Sequence, residues 1–250
     1  MTLYGYRVPM MASLLVWCGI WELVGQSGLM FLVPPLSAVL VAGYAMVQTG
    51  TWQAAAMITL HSFAVGMALA VVVGISLGVL MGRFKAVDEL FSIWVNIFVS
   101  APLSALVPVL MILFGMGETT VIVTVFLFAV WIIVLDTRAG IQHVPKSLIE
   151  MGRSYGASTF ALYGKIVLLA ALPEILAGIR LGLVRGVKGV VIGQLLVAII
   201  GYGELFELYS RSFDMENFWA LTIILFAAAM LMSAAIEYIE KKVDYYAGVR

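Results

Sequence analysis

The stretch Thr120-Val-Ile-Val-Thr-Val-Phe-Leu-Phe-Ala-Val-Trp-Ile-Ile-Val-Leu135 contains no charged side chain. The hydrocarbon layer of a membrane is about 30 Å thick, and a helix needs roughly 20 predominantly apolar residues to cross it. Glu118 and Asp136 flank the stretch, so its apolar length comes close to that requirement. The stretch therefore predicts a membrane-spanning helix.

The composition of the whole chain points the same way. Of the 250 residues, 63% are hydrophobic and only 11% are charged, whereas a soluble domain carries about 25% charged residues. The formal net charge is zero, which gives no reason to expect a nucleic-acid partner. We predict an all-α integral membrane protein with a single transmembrane domain covering residues 1–250.

Apolar runs recur along the chain and predict about six spans. The run that begins at Met10 continues into Trp21-Glu22 without a clear small-residue cleavage site, so we expect a retained helix and not a signal peptide. The predicted spans are Met10–Val24, Ser62–Met81, Phe91–Phe114, Thr120–Leu135, Leu172–Gly201 and Phe218–Ile236.

The basic residues predict the orientation. Six spans put both termini on one side, and Lys and Arg concentrate in the cytoplasmic segments of membrane proteins. With the termini inside, ten of the 14 basic residues lie in inside segments, and Arg211 alone lies outside. The stretch Gln26–Leu60 has no Lys or Arg, so we expect it on the outer face, with one or two short helices over Leu36–Ala56.

The longest polar stretch, Asp136–Ile166, falls between the fourth and fifth spans. Pro145 can open a helix, Gly156 can end it, and Ser158 can cap the next one. We predict two short cytoplasmic helices joined at residues 156–158. A plain solvated loop is the alternative, which the length of the segment disfavours.

Catalytic motifs are absent from the sequence. His61 and His143 are predicted on opposite faces of the membrane, so they form no metal site, and His61 is expected as an interfacial residue without a partner in its layer. The Gly164-Lys165 pair continues with Ile166, which does not fit a phosphate-binding loop. We predict no enzyme activity, no metal and no cofactor in this chain.

Polar residues and prolines inside the spans are candidates for a transport pathway. Broken helices are tolerated where they line protein or water, although a kink can also serve packing alone. A buried amide such as that of Gln194 can equally bond one helix to another. The candidate pathway residues are Ser100, Pro102, Ser104, Pro108, Met116 and Gln194.

Two further patterns leave alternatives open. Glycines four residues apart clear a helix face, either for ordinary packing or for a face that slides or dimerises. Cations in the fifth span favour either an anionic substrate or contact with lipid phosphates or a partner. The glycines are Gly74, Gly78, Gly82, Gly178, Gly182 and Gly186, and the cations are Arg180, Arg185 and Lys188.

The polar stretch also carries a motif. Glu150, Gly156, Ile166 and Leu168 match the spacing E-A-A, three residues, G, nine residues, I-x-L-P. This loop resembles that of permease subunits of bacterial ATP-binding-cassette importers. Three positions depart from the motif: Met151, Gly152 and Leu169. Four further stretches resemble the nitrate/sulfonate/taurine group of these permeases: Leu32–Val39, Gly78–Gly82, Pro108–Glu118 and Ala170–Arg180.

The resemblance implies a type I importer permease fold in the bacterial inner membrane. It implies a second permease copy, two ATPase subunits that carry ATP and magnesium, a periplasmic substrate-binding protein, and a small anion, sulfonate-like or other organic solute as substrate. A secondary transporter without an ATPase is the alternative, and it would need coupling residues in the spans. The resemblance places the ATPase contact at Glu150, Arg153, Tyr155, Gly156, Ala157 and Ser158.

Overall fold

The protein is helical almost throughout the part of the chain that the structure describes. This computed structural model describes the backbone of residues 2–3, 6–7, 10–197 and 199–247, and the side chains of residues 12–235, 237 and 238 except residue 198. The strands β1 (Thr2–Leu3) and β2 (Tyr6–Arg7) form a two-residue antiparallel pair. A 3-10 turn (Leu103–Leu106) precedes α5, and a π-helical turn (Tyr163–Val167) joins α8 to α9. The helices are α1 (Met10–Gln26), α2 (Leu36–Val47), α3 (Gly50–Arg83), α4 (Lys85–Ser100), α5 (Val107–Phe114), α6 (Glu118–His143), α7 (Lys146–Ser154), α8 (Thr159–Leu162), α9 (Leu168–Ala170), α10 (Leu172–Val197), α11 (Gly201–Arg211) and α12 (Met215–Ala247).

Helix α6, which contains the opening apolar stretch, is the centre of the bundle. It packs between α3 and α10, which are its most extensive neighbours. Val121, Val125 and Ile133 of α6 are fully buried. The apolar stretch is therefore a protein-facing core helix as well as a span.

Glycines allow α3 and α6 to approach closely. A Cβ at Gly74 would lie 2.8 Å from the Ile133 side chain, and one at Gly78 would lie 2.6 Å from that of Thr137. On the other side of α6, a Cβ at Gly182 would lie 2.7 Å from Ile133. Both glycine sets thus pack within the chain, as the ordinary-packing alternative predicts.

Five predicted spans have counterparts in long or paired apolar helices. Helices α3, α6 and the described apolar part of α12 (Met215–Ala235) are each long and apolar enough to cross a membrane. Two bent pairs pass the same test together, with bends of 97° between α4 and Leu103–Phe114 and of 62° between Thr159–Ala170 and α10. The sixth, α1, is a shorter apolar helix of 17 residues.

The structure corrects three predicted bounds. Phe91–Phe114 is not one kinked helix, because Ala101 before Pro102 is extended and the prolines stand at helix starts. The fifth span ends at Val197, and Gly201 begins α11. Of the predicted short helices on residues 36–56, only α2 is separate, since residues 50–56 belong to α3.

The bundle has two distinct ends. We call the end where α6 finishes and α10 begins the loop end, because α7, α8 and the π-helical turn project from it. We call the other end, where α6 begins and α11 lies, the opposite end. Residues 145–167 at the loop end are called the knob.

Candidate functional site: the knob and the broken helix

The knob folds as the sequence predicts. Pro145 precedes the first turn of α7, and Ser158 caps α8 by accepting a hydrogen bond from the backbone N–H of Ala161 at 3.3 Å. Gly156 has φ +75°, and its N–H donates to the Arg153 carbonyl at 2.9 Å. The N–H of Ala157 donates to the Gly152 carbonyl at 3.0 Å. This pair of bonds is a Schellman motif, which fixes the exit of α7.

One face of α7 is anchored to the returning chain. Gly152 is buried, and a Cβ there would lie 2.6 Å from the tip of Ile166 and 2.7 Å from the tip of Leu162. The departure from alanine at this motif position therefore brings α7 close to α8 and the π-helical turn. Val167, the last residue of the knob, belongs to a buried apolar cluster that also contains Val144 and Ile175.

The other face of the knob is exposed and apolar. Tyr155 and Phe160 are 88% and 89% exposed, and Met151 is 47% exposed. Within the described part of the chain, Glu150 and Arg153 also lie exposed beside them and form no ion pair. Isolated exposed apolar residues are common, but a cluster of large ones on a rigid polar loop marks an interaction surface.

The structure brings the six predicted contact residues together. Glu150, Arg153, Tyr155, Gly156 and Ser158 are exposed on the knob, and Ala157 is half-buried among them. Sequence reasoning missed Phe160. Its signal is an aromatic side chain two residues after the Ser158 cap, in a helix of only four residues that cannot bury it.

Two side-chain contacts join elements at the loop end of the bundle. The guanidinium of Arg83, at the end of α3, lies 4.4 Å from the ring centre of Tyr163 and 4.6 Å from that of Phe84. Arg138 of α6 pairs with Asp88 of α4 at 2.6 and 2.8 Å. Movement of the knob would therefore reach α3 directly, while α4 is bound to α6.

The predicted pathway residues are divided between two places. Five of them lie on the stretch from the end of α4 to the start of α6, residues 100–117, which we call the broken segment. All five are exposed: Ser100, Pro102, Ser104, Pro108 and Met116. Sequence reasoning missed Ser92 and Asn96, which continue a polar line along α4 at spacings of four residues. The line identifies the side of α4 that is not suited to lipid.

Gln194 lies elsewhere, within the helix packing at the opposite end. It is 1% exposed, and the Thr59 hydroxyl donates to its side-chain oxygen at 3.0 Å. The backbone N–H of Tyr202 in turn donates to the Thr59 hydroxyl at 3.2 Å. This geometry fits the helix–helix hydrogen bond that was the alternative for this residue.

The three cations of α10 have different surroundings. Arg185 attracts Asp136 of α6 electrostatically, and Arg180 has an interaction partner in the chain. Lys188 is exposed and forms no ion pair with any described residue. The cations are therefore not equivalent, and Lys188 is the one without a counter-charge in the described chain.

The expectation that His61 lacks a partner is wrong. Its Nδ1 lies 2.7 Å from the Glu118 carboxylate, which also accepts a hydrogen bond from Ser62 at 3.0 Å. The two partners are 57 positions apart in the sequence, so spacing did not reveal them. Among the described residues, no group of three or more His, Cys, Asp or Glu side chains could hold a metal ion.

These features define a class of protein: a multi-span helical membrane protein with a rigid, outward-facing loop and a broken polar helix beside its core. Comparison of the sequence with known protein families identifies the family within this class. The chain belongs to the family of binding-protein-dependent transport system inner membrane components, whose model matches residues 70–245. The predicted family is thereby confirmed, and with it a role as a transport component.

Individual relatives agree with this assignment. The chain is 27% identical over 255 residues to the bicarbonate transport system permease of Synechocystis sp., covering 95% of this chain and 89% of that protein. It is 26% identical over 197 residues to the nitrate import permease of Leptolyngbya laminosa, covering 77% and 68%. A chain of the inward-facing MetNI methionine ABC transporter has the same fold, with a TM-score of 0.62, 22% identity, and coverage of 75% of this chain and 93% of that chain.

Proposed function

We propose that this chain is the membrane subunit of an ATP-driven importer that couples to separate ATPase subunits through the knob. Two copies of the chain would form the pathway, and two ATPase subunits would bind ATP and magnesium. A periplasmic binding protein would deliver substrate to the opposite end. This arrangement places the loop end and both termini in the cytoplasm, in agreement with the distribution of basic residues.

The observation that carries the proposal is the exposed apolar face of the knob. Tyr155 and Phe160 bury almost none of their surface against their own chain. Exposed large apolar side chains of this kind indicate a surface that a partner protein covers. Large aromatic residues supply much of the binding energy at protein interfaces. The buried Gly152 side and the Schellman motif hold that face rigid, so little entropy is lost on docking.

The substrate we propose is a small anion, a sulfonate-like solute or another small organic solute. The relatives named for nitrate and bicarbonate import handle anions. The polar line of Ser92, Asn96 and Ser100 on α4, together with Ser104 beyond the bend, offers uncharged hydrogen-bonding groups along α4 and the broken segment. Such groups can line a pathway without trapping a charged solute.

Purification from the native membrane tests the proposal. The tagged chain is solubilised in mild detergent, and co-purifying proteins are identified by mass spectrometry while Mg²⁺-dependent ATP hydrolysis is measured. We expect a P-loop ATPase in near-equal amount, with hydrolysis that vanadate inhibits. The double variant Glu150→Ala, Gly156→Pro should lose both, because proline cannot adopt the φ of +75° at position 156.

The matched control lies at the opposite end. Leu208 of α11 is 56% exposed, and Leu208→Ala should retain the ATPase fully. A wild-type chain that purifies without any ATPase would contradict the proposal. So would a double variant that retains both the ATPase and its hydrolysis.

A further inference from the structure

Lys188 stands deep inside a helix that is long enough to span the membrane. Helix α10 has 26 residues. At 1.5 Å per residue, Lys188 lies about 24 Å from Leu172 and about 13 Å from Val197. When a hydrocarbon layer about 30 Å thick lies within the length of α10, Lys188 therefore falls inside that layer.

Lipid is an unfavourable neighbour for this ammonium group. A lysine at the centre of a span costs several kcal/mol when it faces acyl chains, so intramembrane lysines normally face a protein partner or water. Lys188 is exposed on the side of α10 that turns away from α6, where Val184 and Leu195 are exposed as well. It has no counter-charge among the described residues.

A second copy of the chain would not supply the counter-charge through the helices around the broken segment. In α4, Asp88 pairs with Arg138 and Glu89 pairs with Lys85. In α6, Arg185 attracts Asp136 electrostatically, and Glu118 lies in the first turn beside His61. The one acidic residue of α10, Glu174, lies in the first turn of that helix. Each described carboxylate of these helices is thus engaged or far from the depth of Lys188.

Water suits an unpaired ammonium group at this depth better than lipid does, and α10 lies next to the predicted pathway residues of the broken segment. Helix α10 contacts both α5 and the turn Leu103–Leu106, which are parts of the broken segment. We propose that Lys188 lines the water-filled pathway and makes it selective for a small anion. This inference deepens the proposed function by assigning its substrate class to a particular side chain. A fixed positive charge in a narrow, low-dielectric passage attracts anions and repels cations.

Cysteine modification tests both parts of the proposal. The chain has one cysteine, Cys18, so a Cys18→Ser background carries no other thiol. Lys188→Cys is introduced into this background, and the purified chain is reconstituted in phosphatidylcholine vesicles. Charged methanethiosulfonate reagents react with thiols in water and not with thiols in lipid. We expect modification of Lys188→Cys, whereas Leu231→Cys, on the exposed apolar face of α12, should stay unmodified.

The charge effect is measured at Val184, one helical turn from Lys188. In a Cys18→Ser, Val184→Cys protein, the anionic ethylsulfonate reagent should react faster than the cationic trimethylammonium reagent. Replacing Lys188 by Gln should lower this rate ratio about fivefold, the size expected for one charge about a turn away in a partly aqueous site. Lys188→Arg should preserve the ratio.

Two results would overturn the inference. One is a Lys188→Cys protein that is as unreactive as Leu231→Cys, which would place position 188 in lipid or in a dry contact. The other is a Val184→Cys rate ratio that does not change with Lys188→Gln. Both readings need only the folded chain in a bilayer, so they are separate from the co-purification of an ATPase that tests the proposed function.

Discussion

The two ends of the bundle differ in whether their polar and aromatic groups find partners within the chain. At the opposite end, the Thr59 hydroxyl donates to the Gln194 side-chain oxygen and accepts from the Tyr202 amide inside the protein. At the loop end, Tyr155 and Phe160 remain almost fully exposed. The first arrangement closes the chain on itself, and the second leaves a surface for another molecule. Variants at the opposite end should therefore alter folding, and variants on the knob should alter association.

Gly203→Ala should have the largest effect. A Cβ at this position of α11 would overlap the backbone carbonyl of Gln194, which a side-chain movement cannot relieve. We expect a loss of about 3 kcal/mol or more in the free energy of unfolding, measured by denaturant titration in detergent. Gly19→Ala is the control, since nothing lies within 4 Å of its new Cβ. Equal stability of the two variants would show that the opposite end is not tightly closed.

The double variant Tyr155→Ser, Phe160→Ser sharpens the contrast at the knob. Removing two exposed rings should leave the free energy of unfolding within about 0.5 kcal/mol of the wild type. The affinity for the ATPase should fall by about 2 kcal/mol, or roughly thirtyfold, if these rings are interface hot spots. Surface-immobilised binding measurements and a parallel unfolding titration separate the two effects. A variant that loses stability and keeps affinity would reverse the interpretation.

Thr59→Val removes the hydroxyl that joins α3 to both Gln194 and the Tyr202 amide. Two buried polar groups then lose a partner, which we expect to cost about 2 kcal/mol in the free energy of unfolding. Adding Gln194→Leu should recover part of this loss, because an apolar pair leaves fewer unsatisfied groups. Thr119→Val, at an exposed position, is the control. A double variant less stable than Thr59→Val would rule out this network as the cause.

Arg83→Gln should have the smallest effect. The guanidinium lies over the rings of Tyr163 and Phe84, and a partly exposed contact of this kind contributes about 0.5 to 1 kcal/mol. Amide hydrogen exchange across Tyr163–Val167 should become about three- to fivefold faster, while exchange in α6 stays the same. Arg83→Lys should retain about half of the protection. Unchanged exchange in both variants would remove Arg83 as a link between α3 and the knob.

Local signals in the sequence predicted the knob well. Pro145, Gly156 and Ser158 act through their own backbone and side chains, so their effect is readable from neighbouring positions. The central apolar helix was predictable for a similar reason, since composition over a 16-residue stretch decides it.

Contacts between distant positions were not predictable. Thr59 and Gln194 are 135 residues apart, and a single sequence carries no signal that pairs them. The 97° bend after Ser100 was underestimated, because prolines indicate where a helix is interrupted without giving the direction of the chain that follows. The exposed state of Phe160 likewise depends on how short α8 is, which only the fold reveals.

Helix α3 has 34 residues and is therefore about 51 Å long. Tilt alone would have to exceed about 50° to fit it within a 30 Å layer, beyond the range that spanning helices adopt. Part of α3 must therefore extend beyond the hydrocarbon layer, so this helix can span bilayers of different thickness. Helix α1, with 17 residues and a length of about 25 Å, has no excess length of this kind. Hydrophobic mismatch with acyl chains of different length is thus felt at α1, the peripheral helix, and not at the helices of the core.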